Sequence, residues 1–292
     1  AHVGIQKAGA GLPDVEDPIV DLFSAETGAV LAWTDYFVGP ELDKVSKLIR
    51  PRIRYEITRR ILVPMTTAKY GWMGSGNPNA KLNNWAPWIA SNYRASNLLI
   101  EKDENKRKQG LNIANKILNQ YINGLGVDGG CDEGAGYWTA GGGGVFDALN
   151  LLYDATHGKV NIYKNPFIQK MGSYIYKTHI AGNYFINVAD SHPTLEPDGI
   201  MIFRFSKDMD DEHMMNFGSW AYHAFDEGIG GGRFHRTRVL YDMLAIKDGS
   251  AYPYKDVEVP DVWFSDVHLM ALRSHNGWFV ATHTGNNGES HN

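Results

Sequence analysis

The amino-acid sequence predicts a mainly α-helical protein, a succession of antiparallel helical hairpins followed by the beginning of an antiparallel β-domain. Three observations carry this expectation. Apolar residues recur at helical spacing through most of the first 250 positions, as in Ile113, Ala114, Ile117, Leu118, Tyr121 and Ile122. Proline-led starts and glycine-marked ends punctuate these stretches. After the linker bracketed by Pro253 and Pro260 the pattern changes to two strand-like runs, 268–273 and 278–283, separated by a turn containing Asn276-Gly277.

Taken in order, residues 1–14 are small and glycine-rich, an irregular lead-in. Asp17-Pro18 gives an N-cap with proline at the first helical position, and Ile19, Leu22, Phe23 and Val30 extend a helix toward residue 37. Gly39-Pro40 reads as a second start, opening a long helix that Pro51 should kink or split. Its later part carries Arg50, Arg52, Arg54, Arg59 and Arg60, which read either as a solvated face or as a basic surface for an acidic glycan. Residues 66–86 form a long polar connection, of the kind that is often functional inside a compact domain. Helices follow at 87–102 and 105–123, then from the loop at 128–138 through Phe146, Leu149, Leu152 and Tyr153 to His157-Gly158. Another opens at Asn165-Pro166, and two more are expected near 211–227 and 234–246. The expected division is 1–252 for the helical domain and 253–292 for the linker and first strands. Two strands cannot stand alone, so the β-domain reads as truncated, with its remainder in a longer protein or a separate piece.

The chain has 292 residues, 43% of them hydrophobic, enough to bury a substantial core. A net charge of −5 offers no global basic footprint, which argues against nucleic acid as a partner. No apolar run approaches the roughly 18 residues needed to span a membrane. Cys131 is the single cysteine and reads as a small packed residue, with no intrachain disulfide open to it. The 12% aromatic content suits a carbohydrate cleft and an ordinary core equally.

Two loops concentrate polar and aromatic residues ahead of helices. One is Lys81-Leu-Asn-Asn-Trp-Ala-Pro-Trp88 and the other is Asp128-Gly-Gly-Cys-Asp-Glu-Gly-Ala-Gly-Tyr-Trp138. A helix N-terminus carries free N–H groups and partial positive charge, so two of them brought together would seat an anionic substrate. Each residue also has a plainer reading. Asn83 or Asn84 would cap the helix near Pro87, Tyr137 would fill a core, and Asp132 with Glu133 would act as capping partners rather than as the acid–base pair of a glycosidase. Trp85, Trp88 and Trp138 would stack on sugars or pack the fold. Arg94, Arg204, Arg233 and His235 are weaker candidates for holding a carboxylate or sulfate. His192, His235 and His283 lack metal-ligand spacing.

The order Asn83-Asn84-Trp85…Trp88-Ile89, Asp128-Gly-Gly-Cys-Asp-Glu-Gly…Tyr137-Trp138, Thr156-His-Gly-Lys159 and Thr284-Gly-Asn-Asn-Gly-Glu-Ser-His-Asn292 resembles the heparinase II/III-like family of polysaccharide lyases from about residue 15 onward. The resemblance implies an incomplete (α/α) toroid followed by a β-sandwich, and β-elimination at a uronic acid of an acidic polysaccharide, with a glycosaminoglycan such as heparan sulfate ahead of alginate. It implies roles for Asn83, or Asn84 in the other register, in neutralising the substrate carboxylate. Tyr137 corresponds to the general acid, and on a syn substrate also the base, and His291 to a base from the β-domain. Asn84, Trp85, Trp88, Glu133, Trp138, Arg94, Arg233 and His235 stand as substrate-binding candidates. No cofactor is required by these motifs; a structural divalent metal in the β-domain would take ligands beyond residue 292. A periplasmic or secreted location also follows only from the resemblance. An (α/α) glycoside hydrolase and a non-catalytic glycan-binding protein are the alternatives.

Overall fold

The computed structural model describes residues 18–225, 235–255 and 259–285. It is mainly helical with a small antiparallel sheet near the C-terminus, and the chain divides into two compact units that part between Gly124 and Leu125.

The first unit is built on α1 (Leu22–Val45), α2 (Ile49–Ile57), a π-wound turn (Thr58–Leu62), α3 (Val63–Thr67), α4 (Trp85–Ile100) and α5 (Glu104–Gly124). Asp17 lies outside the described residues. The capping residue observed is Asp21, whose carboxylate accepts the Ser24 N–H while the Ser24 hydroxyl accepts the Asp21 N–H, a reciprocal box. Against expectation, α1 runs straight through Pro40, and the break comes at 46–48. Pro51 consequently falls in the first turn of α2, where a missing N–H has no carbonyl to satisfy and nothing needs to kink. Pro64 does perturb its helix: it cannot donate back along the ladder, and the turn before it is π-wound. Along α1, Ala25, Gly28, Ala29 and Ala32 put small residues on one face, and α4 packs there, nearly every side chain from Ala86 to Asn97 buried.

The arginines of this unit do not form an open basic surface. Arg50 and Arg54 each hold one oxygen of buried Asp35, at 2.7 and 2.9 Å, and Arg52, Arg59 and Arg60 converge on Glu56. Burial alone would raise the Asp35 carboxyl, but the two guanidiniums hold it below its usual range. The Arg60 hydrogen bond leads in drawing Glu56 down to about 2.

The second unit contains a single 3₁₀ turn (Ala135–Tyr137), α6 (Gly142–Ala155), α7 (Pro166–Lys177), β1 (His179–Ala181), β2 (Tyr184–Phe185), α8 (Gly199–Met209), α9 (Glu212–Phe225), α10 (Arg238–Ala251), β3 (Val262–Phe264), β4 (Leu269–Arg273) and β5 (Phe279–His283). Helix α8 is absent from the sequence expectation for a physical reason. Ile200, Met201, Ile202, Phe203 and Phe205 are all buried, so the helix opens on a short continuous apolar run, which periodicity alone does not assign to helix or strand; its exposed polar residues, Lys207 and Asp208, come only in the last turn. Its close partner is α9: a Cβ on Gly199 would lie 2.2 Å from Tyr222 N, and one on Gly218 2.5 Å from Phe203 N. The sheet is an antiparallel meander β3-β4-β5, adding β3 to the two expected strands, with Leu269 and Ala271 of β4 fully buried. No helix among the described residues is long and apolar enough to cross a membrane.

Candidate active site

The residues before α4 form a compact capping arrangement. Asn83 Oδ1 accepts the Trp85 N–H at 3.2 Å and its backbone carbonyl accepts the Ala86 N–H at 3.1 Å, so Asn83 closes the first turn of α4 with both its oxygens. Only an amide oxygen can accept, which fixes the orientation of the side chain: Nδ2 is its outward donor and has no partner among the described residues. Asn83 is exposed, whereas Asn84 is 8% exposed. Trp85 is half-buried. Trp88 is buried and donates its indole N–H to Glu26 Oε2 at 3.1 Å, so it serves the α1–α4 contact and offers no face to a sugar. Arg94, 3% exposed, reaches Asn115 of α5, and burial lowers it to about 10; it is enclosed within its unit rather than presented to a ligand.

The second loop, 128–138, is tied at several points to distant parts of its own unit. Asp128 Oδ2 accepts the Asp266 N–H at 2.7 Å, and Asp266 Oδ2 accepts the Asp128 N–H at 3.3 Å. Lys170 Nζ donates to the Val127 carbonyl, and the buried Tyr174 hydroxyl donates to that of Cys131. The Gly136 N–H donates to Ser191 Oγ at 2.9 Å. Gly129 and Gly134 have φ of +74° and +86°, and a Cβ on either would lie 2.5 Å from neighbouring backbone, so the path requires glycine twice over. Cys131 is buried, and burial pushes its thiol well up, with Asp132 and Glu133 adding to the effect; it is an inert packing residue.

One side chain of the 3₁₀ turn is turned outward. Tyr137 is 38% exposed, although its neighbours Ala135 and Trp138 are buried, and its hydroxyl has no hydrogen-bond partner among the described residues. Trp138, 1% exposed, donates its indole N–H to the Met171 carbonyl at 2.8 Å and meets Phe146 edge to face, so it packs the core and cannot stack on a sugar. Glu133 is likewise buried, at 3% exposure, which removes it as a solvent-facing glycosidase carboxylate or substrate ligand. Asp132 is half-buried.

Helix α6 does not begin at Trp138 but four residues later, at Gly142, with no side-chain cap on its first turn, and a cation rather than an acceptor lies beside this end. Arg238 Nη2 donates to the Thr139 carbonyl at 2.7 Å and Arg238 Nε to Asp147 Oδ2 at 2.8 Å. His235 is buried on the same segment, and burial followed by Arg238 holds its imidazole well below the usual histidine range. It is therefore neutral near pH 7 and brings no positive charge to a sulfate. Arg204, another weaker candidate, lies between the rings of Phe205 and Tyr241, with its guanidinium 3.7 Å from Asp147 and 4.0 Å from Asp242. Arg233 and His291 lie outside the described residues. Among the described residues no group of three or more His, Cys, Asp or Glu side chains is placed to hold a metal ion.

The structure thus groups Asn83, Asn84, Trp85 and Trp88 at the start of α4 in one unit, and Glu133, Tyr137 and Trp138 on the loop of the other. Of these, Asn83, Trp85 and Tyr137 retain solvent access. What sequence reasoning missed is the support: Ser191, Asp266 and Arg238 carried no local motif, and only the folded chain brings them to the loop. Compared with protein-family models and with curated proteins, the chain matches none.

Proposed function

We propose that this chain is the helical part, with the first strands of a following β-domain, of a polysaccharide lyase that cleaves a uronic-acid polysaccharide by β-elimination. In this reading the helices form an incomplete (α/α) toroid across 1–252, residues 253–292 open a β-sandwich, and the enzyme works in the periplasm or outside the cell on a glycosaminoglycan such as heparan sulfate. The observation that carries it is Tyr137: an exposed phenol on a loop whose other large side chain is buried and whose backbone is held by its neighbours.

The chemistry assigns each side chain one task. Removing the C5 proton leaves an electron pair that delocalises into the uronate carboxyl group, and a donor there lowers the barrier; the Asn83 amide, its oxygen committed to the α4 cap, offers Nδ2–H for this. The electron pair then forms the C4–C5 double bond as the C4–O4 bond breaks. On a syn substrate Tyr137, as its phenolate, takes the C5 proton and passes it to O4; on an anti substrate His291 takes the C5 proton and Tyr137 gives its phenolic proton to O4, to be reprotonated afterwards. Trp85, half-buried beside Asn83, is the tryptophan left to line the substrate path.

The test is ultraviolet absorbance of the chain, extended at its C-terminus where a longer form exists, incubated with heparan sulfate, heparin, chondroitin sulfate, hyaluronan and alginate. A rise from the conjugated double bond on one polymer is the expected result. New reducing ends without that absorbance would replace elimination with hydrolysis, and binding without either product would make the protein a glycan-binding one.

A further inference from the structure

A cavity lies within the C-terminal unit, where the end of α7, the β1–β2 hairpin, α9 and β4 meet around about 390 Å³. That volume is within the range of roughly 300–1,000 Å³ typical of small-molecule sites. Its wall is aromatic. His179 and Trp220 have ring centroids 4.7 Å apart at 47°, and Phe217 sits 5.2 Å from Trp220 at 33°. These rings give the cavity an apolar wall against which the C–H face of a sugar ring can lie.

Besides Tyr176, His213 and Asn216, three kinds of polar group stand on this wall. Lys255 and Arg273 are cations, and among the described residues no carboxylate lines the cavity, although the chain as a whole is acidic. Arg273 is fixed in place by neutral acceptors: Nη1 donates to the Pro260 carbonyl, and Nη2 to those of Lys177 and His179 at 2.7 and 3.1 Å. Among the described residues no carboxylate bonds the guanidinium: Asp261 accepts the Arg273 backbone N–H and acts on the charge only through space, against the effect of burial. Lys255 Nζ and the Trp220 indole N–H have no partner among the described residues, so both can donate to a ligand. The third kind is an acceptor. His179 Nε2 lies 2.8 Å from the Gly182 carbonyl, which can only accept, so Nε2 carries the proton. Burial, with Arg273 adding to it against the Gly182 hydrogen bond, lowers the imidazole below its usual range; the ring is neutral and Nδ1 bears a lone pair. An apolar wall, two cations and a neutral acceptor together suit a ligand with a hydroxylated ring and an acidic group.

We propose that this cavity is a subsite for a single acidic pyranose, with its apolar face on Trp220 and Phe217, its carboxylate or sulfate toward Lys255 and Arg273, and a ring hydroxyl donating to His179 Nδ1. In taking the ligand to be a sugar acid it rests on the lyase reading, but it uses none of the residues assigned to elimination.

Saturation-transfer NMR on the full chain tests it, with D-glucuronate titrated against D-glucose, benzoate and inorganic sulfate. Glucuronate should bind saturably, about tenfold tighter than glucose, since one charge-assisted hydrogen bond separates them. Lys255→Ala should weaken it by about tenfold, while Tyr137→Phe and Asn83→Ala should leave it within about twofold. Trp220→Phe keeps a ring on the wall should Trp220→Ala fail to fold, and should still weaken binding through the lost indole donor. Equal affinity for glucose, full displacement by sulfate or benzoate, indifference to Lys255→Ala, or loss of binding in Tyr137→Phe would each overturn the subsite. Lys255-dependent binding of glucuronate, with no unsaturated product from any polymer, would sink the lyase reading and leave the subsite standing.

Discussion

The two loops hold their exposed side chains by opposite means. Asn83 positions itself: its own amide oxygen and carbonyl close the first turn of α4, two and three residues away. The Tyr137 side chain makes no such bond; its local ties, to Gly134, Ala140 and Gly141, are all through backbone. The backbone around it is held by Tyr174, Ser191, Arg238 and Asp266, between 43 and 138 residues distant in sequence. A self-capped residue needs only its own helix to be correctly set, whereas a cradled one depends on the whole unit being folded. The first arrangement ties function to local stability; the second separates the reacting group from the scaffold that aims it.

That separation gives the largest expected effect. Tyr137→Phe removes the hydroxyl and touches none of the ties, so elimination should fall by about 10²–10⁴-fold, the usual worth of a general acid. The melting midpoint should stay within about 2 °C of the parent. Turnover and a thermal melt measured on the same preparation check this; normal kcat in the variant would remove Tyr137 from the mechanism.

For Asn83 the same experiment should not separate the two roles. Asn83→Ala deletes cap and donor together, costing about 1 kcal/mol of stability and about 10²–10³-fold in turnover. Asn83→Asp is the sharper probe. It keeps an acceptor for the Trp85 N–H but replaces the amide donor with a carboxylate facing the substrate's own, so stability should recover while activity does not. An active Asn83→Asp enzyme would mean that the residue is only a cap.

This contrast also explains what could be read from the chain beforehand. The Asn-Asn doublet ahead of Trp85 and Pro87 signals a helix start, and the structure puts the cap there because capping is local chemistry. Gly129 and Gly134 were legible as permissive positions, but not the backbone that crowds them, which comes from 170–171 and 188. Helix α8 escaped because it opens on a short unbroken apolar run that has no readable period, and the break between α1 and α2 was misplaced because Pro40 is tolerated within a helix held by packing. Trp88, Trp138, Arg94 and Glu133 were attractive by type and neighbourhood; burial, which no local pattern reports, removes them from solvent.

The cradle should also respond to pH where the cap does not. Arg238, which holds Thr139 beside the Tyr137 turn, shares α10 with Asp242, whose carboxylate has no hydrogen-bond partner among the described residues. Burial, then Asp198, push Asp242 up to about 7, with Asp147 adding repulsion and Arg204 and Arg238 opposing. Its ordinary value is near 4, so between about pH 4 and 7 the folded chain binds more protons than the unfolded one. Stability therefore falls as pH rises through that window, and the loss is complete above it. Asp242→Asn should stabilise the protein at pH 8 by up to about 4 kcal/mol and change little at pH 4. Denaturant melts at the two pH values would contradict this if the variant were less stable at pH 8.

The smallest effect discriminates best between the two designs. Ser191 packs against Gly134 and accepts the Gly136 N–H next to Tyr137, and its own hydroxyl proton points to the His192 carbonyl. Ser191→Ala leaves Tyr137 chemically intact and should cost only about 1 kcal/mol of stability. If the cradle aims the phenol, the loss should appear in kcat rather than KM, because a turn free to drift still admits substrate but mispositions the proton donor. Ser191→Thr, which retains the acceptor oxygen, should recover most of kcat if its added methyl is accommodated. An Ala variant with unchanged kcat would show that the remaining ties at Cys131, Thr139 and Asp128 suffice, and that the support of Tyr137 is redundant rather than shared.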